Sequence, residues 1–349
     1  MRRALFLSWV PALLAAGLAG GCSRKTPRGS SALFPIIVQL DWVAEPEHGA
    51  FYEAQALGYF RDEGLNVRLV QGGANAYVIP RVGTDQAQLG QADSTTALVA
   101  IQNGTPIVNV ASIFQHDPSV LMMQESNPVR TWKDLNGRTI MARPDWAFLK
   151  FLRNKYHINF RVIPQNFGLG RLASDPNFIQ QGYYIAEPYR LAQRGIKLKF
   201  LYAWDTGFDS YTTLIANRTF AREHGPELRA FLRALRRGYR QYIEGDPAPA
   251  HRIMLRINPQ ATPDYLAWSR RQIIKAGLAR PPGGDYLDIS PARYQAEIDQ
   301  LENLGVLRKG AVTVAEAMDG SYLPPESRRS GDSIVSRRSA KTGRGAARK

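Results

Sequence analysis

The chain of 349 residues contains one cysteine, Cys22. A single thiol excludes an intrachain disulfide framework and any zinc or iron–sulfur site built on a cysteine cluster, so stability must come from packing. Histidine is equally sparse: His48, His116, His157, His224 and His251 are scattered, and no H-E-x-x-H helix occurs. The glycine pair in GGANAY, Gly72 to Tyr77, has no P-loop lysine after it and does not complete G-x-G-x-x-G. No G-x-S-x-G elbow is present either. These absences disfavour the common hydrolase and nucleotide-dependent classes, and the expectation is no catalytic residue, no cofactor and no metal. Internal repeats and heptad arrays are also missing.

Acidic residues are scarce at both ends. Residues 1–31 carry five Arg or Lys and no acid, and residues 327–349 carry eight basic residues with Asp332 alone. Of the formal net charge of +15, the two ends therefore contribute +5 and +7, leaving +3 for the body. Nucleic acid is not an expected partner. Arg2 and Arg3 precede an apolar run from Ala4 to about Leu18, then Ala19, Gly20, Gly21 and Cys22. Residues 1–21 read as a secretory signal, too short and wrongly flanked for a spanning helix. A cysteine directly after small residues at the end of a signal points to bacterial lipoprotein processing, with Cys22 lipidated and residues 22–32 as a linker. Leu18 stands four residues before Cys22 rather than the usual three, and an ordinary cleaved signal is the alternative. Multiple acyl chains would anchor the protein to a membrane of the bacterial cell envelope, facing the periplasm or the outside. The tail, 327–349, has little to bury and is expected to be disordered: either a solvated extension or an attachment to anionic lipid or cell-wall polymer.

The body alternates strand and helix. PIIVQL, Pro35 to Leu40, reads as a buried strand ending at Asp41, and Pro46 suits the first turn of a helix that Gly58 stops. NVRLV, Asn66 to Val70, is the next strand; QLGQAD leads into STTALVAIQNG, a helix capped by Ser94 or Thr95; TPIVNVASIF follows as a strand. From about Pro118 the pattern restarts, with strands at RTIMA, FRVI, around QQGYYI and at KLKFLYA, helices at DWAFLKFLRNKY and after Glu187-Pro188, and a return strand at TTLIAN. Leu228, Phe231, Leu232, Leu235, Tyr239, Tyr242 and Ile243 form one helical stripe, while Arg229, Arg233, Arg236, Arg237 and Arg240 read as a solvated face. Helices around Tyr265 to Ala276 and Pro291 to Leu304 are expected to pack back on the first lobe.

The first strand-to-helix junction is the most informative segment. DWVAEPEHGAFYEAQALGYFRDEGL, Asp41 to Leu65, gathers acidic, aromatic and imidazole groups where open α/β sheets bind small ligands. Its pattern of D-W, P-E-H, F-Y-x-A and G-Y-F-x-D-E-G-L resembles the thiamine-pyrimidine precursor-binding family. That family belongs to a superfamily holding alkanesulfonate- and nitrate-binding proteins and the thiamine pyrimidine synthase. The resemblance runs from about Phe34 to about Leu323. It implies a two-lobed α/β fold of the periplasmic-binding-protein type (type II), each lobe a sheet with flanking helices, closing on its ligand about a hinge. Lobe 1 would comprise 33–117 and 213–326 and lobe 2 would comprise 118–212, with crossings near His116 to Pro118 and Ser210 to Thr213. It also implies a substrate-binding component of an ABC importer, with a permease and its ATPase as partners and a heterocyclic ligand.

A flat heterocycle asks for aromatic faces and for polar groups in its plane. Trp42 and Tyr52 can supply faces, and Asp41 and His48 polar contacts, although Trp42 could equally cap the core and His48 a helix end. Asp93 and Ser94 stand at a second strand-to-helix junction, where a cap serves as well as a ligand contact. Glu187, in IAEPY, can accept hydrogen bonds from an aminopyrimidine or complement a helix dipole. In MARPDWAF, Asp145 would repel an anion and Trp146 could add a ring face or pack in the core, which favours a neutral or cationic heterocycle over a sulfonate or nitrate. Riboflavin would suit the same stacking groups. The synthase relatives carry a cysteine-rich iron-binding segment; with Cys22 alone, inside the secretion signal, that segment is missing and enzyme activity of that kind is disfavoured.

Overall fold

The computed structural model describes residues 32–325; the segment 1–21 read as a secretory signal, Cys22 and the tail 327–349 lie outside the described residues. Two five-stranded mixed sheets carry the structure. The strands are β1 (Phe34–Gln39), β2 (Leu65–Val70), β3 (Leu89–Asp93), β4 (Ile107–Phe114), β5 (Ser119–Gln124), β6 (Thr139–Ala142), β7 (Arg161–Pro164), β8 (Ile179–Tyr183), β9 (Leu198–Tyr202) and β10 (Thr212–Asn217). In the first sheet the order is β2-β1-β3-β10-β4, with β1 parallel to β2 and β3 and with β10 antiparallel to both its neighbours. The second sheet runs β7-β6-β8-β5-β9, with β6 parallel to β7 and β8 and with β5 antiparallel to β8 and β9. The chain leaves the first sheet after Phe114 and re-enters it at Thr212.

Strand β5 is absent from the expectations above. SVLMMQ is a continuous apolar run buried on both faces, and it lacks the alternation that marks a half-exposed strand. Strand β4 is buried at all eight positions although it closes one end of its sheet, because the end of the described chain covers that edge. Asn109 Nδ2 donates to Ala317 O at 2.6 Å, Asp319 N donates to Asn109 O at 2.8 Å, and Ser112 N donates to Leu287 O at 3.0 Å. Unpaired edge groups are thereby satisfied.

The long helix Gly225–Glu244 packs its stripe of Leu228, Phe231, Leu232, Leu235, Tyr239 and Tyr242 into the main core. It crosses the helix Gly49–Ala56 at Gly238, where a Cβ would stand 2.3 Å from Ala50 O. Only glycine permits that approach. The basic face needs one correction: Arg236 is 4 % exposed, with its guanidinium donating to Tyr286 O at 3.0 Å and Pro324 O at 2.7 Å. It ties down the returning chain instead of facing water. The helix Pro291–Asn303 packs on the first lobe as expected, with Glu297 accepting from Ser94 and Thr95, and its Tyr294, Ile298 and Leu301 also share a core with Leu121 and Ile179 of the second sheet. Among the described residues no helix is long and apolar enough to cross a membrane.

Candidate functional site

The two sheets face each other across a cavity of about 510 Å³. Asp41 and Trp42 follow β1, Gly73, Ala74 and Tyr77 follow β2, and Asp93 ends β3. From the second sheet come Arg143 after β6, Gln165 and Phe167 after β7, and Tyr183 and Glu187 at and after β8. All six strands are parallel members of their sheets, and each delivers its residues from its carboxyl end, the position where α/β sheets hold ligands.

Asp41, Trp42, Asp93 and Glu187 line the cavity as the sequence suggested. The Trp42 ring lies 5.0 Å from that of Phe167 across the cleft, so one aromatic surface is contributed by both sheets. Glu187 starts a short helix after Ala186; its Oε2 accepts from Tyr183 N at 2.9 Å, and burial pushes its carboxyl up to about 7. Asp93 faces the cavity while also capping the helix Ser94–Gln102, accepting from Thr96 N at 2.8 Å and Thr96 Oγ1 at 2.6 Å. The cap is therefore Asp93 rather than Ser94 or Thr95.

The other four expected contacts are placed elsewhere. His48 is fully buried behind the wall, with Nε2 2.9 Å from Asp41 Oδ1 and Nδ1 without a partner. It fixes the Asp41 carboxyl and does not line the cavity. Tyr52 is 2 % exposed and belongs to the main core, because its helix turns that face inward; burial raises its hydroxyl pKa. Ser94 points away from the cleft: its Oγ donates to Glu297 at 2.8 Å and accepts from Tyr211 N at 3.0 Å. Trp146 lines a narrow side pocket and packs 4.8 Å from Phe148, the core role weighed for it.

Several lining residues escaped sequence reasoning. Glu45 and Glu47 flank Pro46 inside the motif itself, yet acids at a helix start ordinarily read as dipole partners. Arg143 reaches across from β6 to Asp93 at 3.4 Å while also meeting Asp145 at 3.3 Å, so the segment read as anion-repelling carries its own neutralised cation. Arg190, itself not a lining residue, reaches from the second lobe to within 2.8 Å of Glu45. Tyr77 and Phe167 stand at the mouth with φ of 47° and 59°, 63 % and 44 % exposed. Large side chains seldom adopt that backbone region, and strain of this sort gathers at functional sites. Among the described residues the nearest approach to a metal centre is the trio Asp41, Glu47 and His48, whose donor atoms lie within 4.8 Å of one another. The His48–Asp41 hydrogen bond already occupies that trio, so it reads as a hydrogen-bonded cluster.

Residues 45–250 match the family described as NMT1/THI5 like. The chain belongs to that family. Among curated relatives, the riboflavin-binding protein RibY of Chloroflexus aurantiacus is 25 % identical over 74 % of this chain and 76 % of its own. The formylaminopyrimidine-binding protein of Halalkalibacterium halodurans is 26 % identical over 71 % of this chain and 78 % of its own. In structure, the periplasmic aliphatic sulphonate-binding protein of Escherichia coli superposes with a TM-score of 0.63 at 13 % identity, covering 84 % of this chain and 94 % of that one. The NMT1/THI5-like chain thus has the two-lobed periplasmic-binding-protein fold expected from its first motif.

Proposed function

We propose that this protein is the substrate-binding component of an ABC importer, anchored outside the cytoplasm by lipid on Cys22. It captures a thiamine-pyrimidine precursor of the hydroxymethylpyrimidine or formylaminopyrimidine type between its lobes and delivers it to the permease and ATPase. The observation that carries the reading is the cavity itself, lined both by the Trp42–Phe167 aromatic surface that the two lobes share and by the Glu187 carboxyl of the second lobe. An aminopyrimidine presents a π-face and adjacent ring and exocyclic nitrogens, which those groups match. In this reading no bond is made or broken in the ligand. Closure excludes water, and binding energy is spent on favouring the closed state. The formylaminopyrimidine-binding relative supports the assignment.

A flavin is the second reading. A cavity of about 510 Å³ has room for a tricyclic ring, and a riboflavin-binding relative shares the family. The flavin imide, however, sets two carbonyl oxygens beside its N–H, and the carboxyl-rich wall opposes carbonyls. Titration calorimetry with 4-amino-5-hydroxymethyl-2-methylpyrimidine and with riboflavin separates the two. The pyrimidine is expected to bind, and Glu187→Gln to weaken it by roughly ten- to a hundredfold, the cost of about 1.5–3 kcal/mol for a hydrogen bond to a charged group. Binding of riboflavin alone would overturn the pyrimidine assignment.

A further inference from the structure

The cavity has an imbalance of charge that the reading above does not use. Asp41, Glu45, Glu47, Asp93, Asp145 and Glu187 line it, against one guanidinium, Arg143. Most of these acids are spoken for. Arg143 serves Asp93 and Asp145, Arg190 serves Glu45, and His48 holds Asp41. Glu47 and Glu187 are left with no lysine or arginine within ion-pair distance among the described residues. The Glu47 side chain is 4 % exposed, and His48 Nε2 stands 3.5 Å from it, a nitrogen already bonded to Asp41 at 2.9 Å.

Glu47 comes from the 3₁₀ turn Pro46–His48 on the first-lobe side and Glu187 from the helix Glu187–Ala192 on the second-lobe side, so closure brings two uncompensated carboxyls to one space. A buried carboxylate without a partner is costly, and a ligand that brings positive charge with N–H donors removes that cost. We propose that the cavity takes its ligand as a planar organic cation, a protonated amidine-type base, with Glu47 as the counter-ion inside the pocket. The inference rests on this cavity being the ligand site and narrows the ligand's charge state.

The surroundings of Glu47 agree with it. Asp41, Glu45, Asp117 and Glu187 all act on Glu47 as like charges, His48 sits beside it, and the hydroxyls of Tyr183 and Tyr265 feel its charge. Burial, and then those four carboxyls, raise the Glu47 pKa well above the usual carboxyl value. Ionising Glu47 is therefore unfavourable until a cation comes to share its space. A neutral ligand supplies no such partner and gains no ion pair.

Two matched pairs of probes test this by calorimetry on the full chain in detergent: 4-amino-1,2-dimethylpyrimidinium against 2-methylpyrimidin-4-one, and benzamidinium against benzamide. The cation of a pair is expected to bind at least about tenfold tighter. Glu47→Gln should erase that preference with the protein still folded, and Glu47→Asp should retain part of it. Equal affinities within both pairs, or a preference that survives Glu47→Gln, would overturn the inference, and the wild-type comparison needs no variant to fold. Saturation by zinc chloride or magnesium chloride alone, blocking every probe, would also overturn it. The pyrimidine reading fails separately: benzamidinium preference that depends on Glu47, with no pyrimidine bound, sinks that reading and keeps the cation site. Pyrimidines bound without charge preference do the reverse.

Discussion

Replacing Glu297 by Gln should make the protein more stable at pH 8 and leave it nearly unchanged at pH 5. Glu297 is 7 % exposed on the helix Pro291–Asn303, its oxygens accepting from Ser94 Oγ at 2.8 Å and Thr95 Oγ1 at 2.8 Å. Burial pushes its carboxyl up to about 7, against the partial relief those hydroxyls provide. Because the folded value lies above the ordinary 4.5, the group's contribution to stability is complete below pH 4.5 and is lost as the pH rises through about 7. Proton linkage between those limits amounts to on the order of 3 kcal/mol by pH 8. Glutamine imitates the protonated acid, keeping one acceptor for the two hydroxyls while never taking the charge. Its advantage at pH 8 should therefore reach about 2–3 kcal/mol, or roughly 3–5 °C in Tm for a chain of this size. Asp117, pushed up to about 6, and Glu53, pushed up to about 7, slope the same way and remain in both proteins. Calorimetric melting of wild type and variant from pH 5 to pH 8 reads the difference directly. Parallel curves would show that Glu297 ionises as readily in the fold as in the unfolded chain, and the account of the Ser94–Thr95–Glu297 cluster would be wrong.

Trp42→Ala removes one face of the Trp42–Phe167 pair and should weaken pyrimidine binding by about tenfold or more without moving Tm, as read by titration calorimetry beside a melting curve. Gly238→Ala places a methyl 2.3 Å from Ala50 O and 2.9 Å from the Ala54 Cβ, and urea unfolding should show a loss of about 2 kcal/mol or more from overpacking. Cys22→Ala should move the protein from the membrane to the soluble fraction, or block its maturation, while ligand binding is retained. Unchanged membrane retention would transfer the anchoring role to the basic tail.

The fold was legible because most strands here obey one of two simple patterns. Leu65–Val70 alternates buried and exposed positions at its start, and Pro35, Asp41 and Gly58 punctuate the first β-α unit where local chemistry requires it. SVLMMQ failed for want of any alternation, being buried on both sides by contacts that local sequence does not reveal. The site divides along the same line. Asp41, Trp42, Asp93 and Glu187 were readable since a strand's carboxyl end has a fixed position in an α/β sheet. Ser94, at the second junction, turns to Glu297 instead of the cavity. His48 and Tyr52 were misplaced because a strand-to-helix junction points alternate residues to the cavity and to the core, and one turn of 3₁₀ helix at Pro46–His48 decides which. That same turn aims Glu47 into the cavity. Arg143 was invisible for another reason: its partner Asp93 lies in the other sheet, fifty residues away in sequence.

The placement of β10 between β3 and β4 has a consequence for how the molecule is assembled. Until Thr212–Asn217 has been synthesised, β3 and β4 have no hydrogen-bonding neighbour on their facing edges, since neither pairs with the other. A nascent chain that already contains every strand of the second sheet therefore still cannot close the first. Such long-range pairing slows folding and leaves β edges open to wrong partners meanwhile. The chain passes through a period of enforced incompleteness, in which a holding chaperone has most to protect and truncation anywhere before Thr212 yields an aggregating fragment instead of a smaller domain.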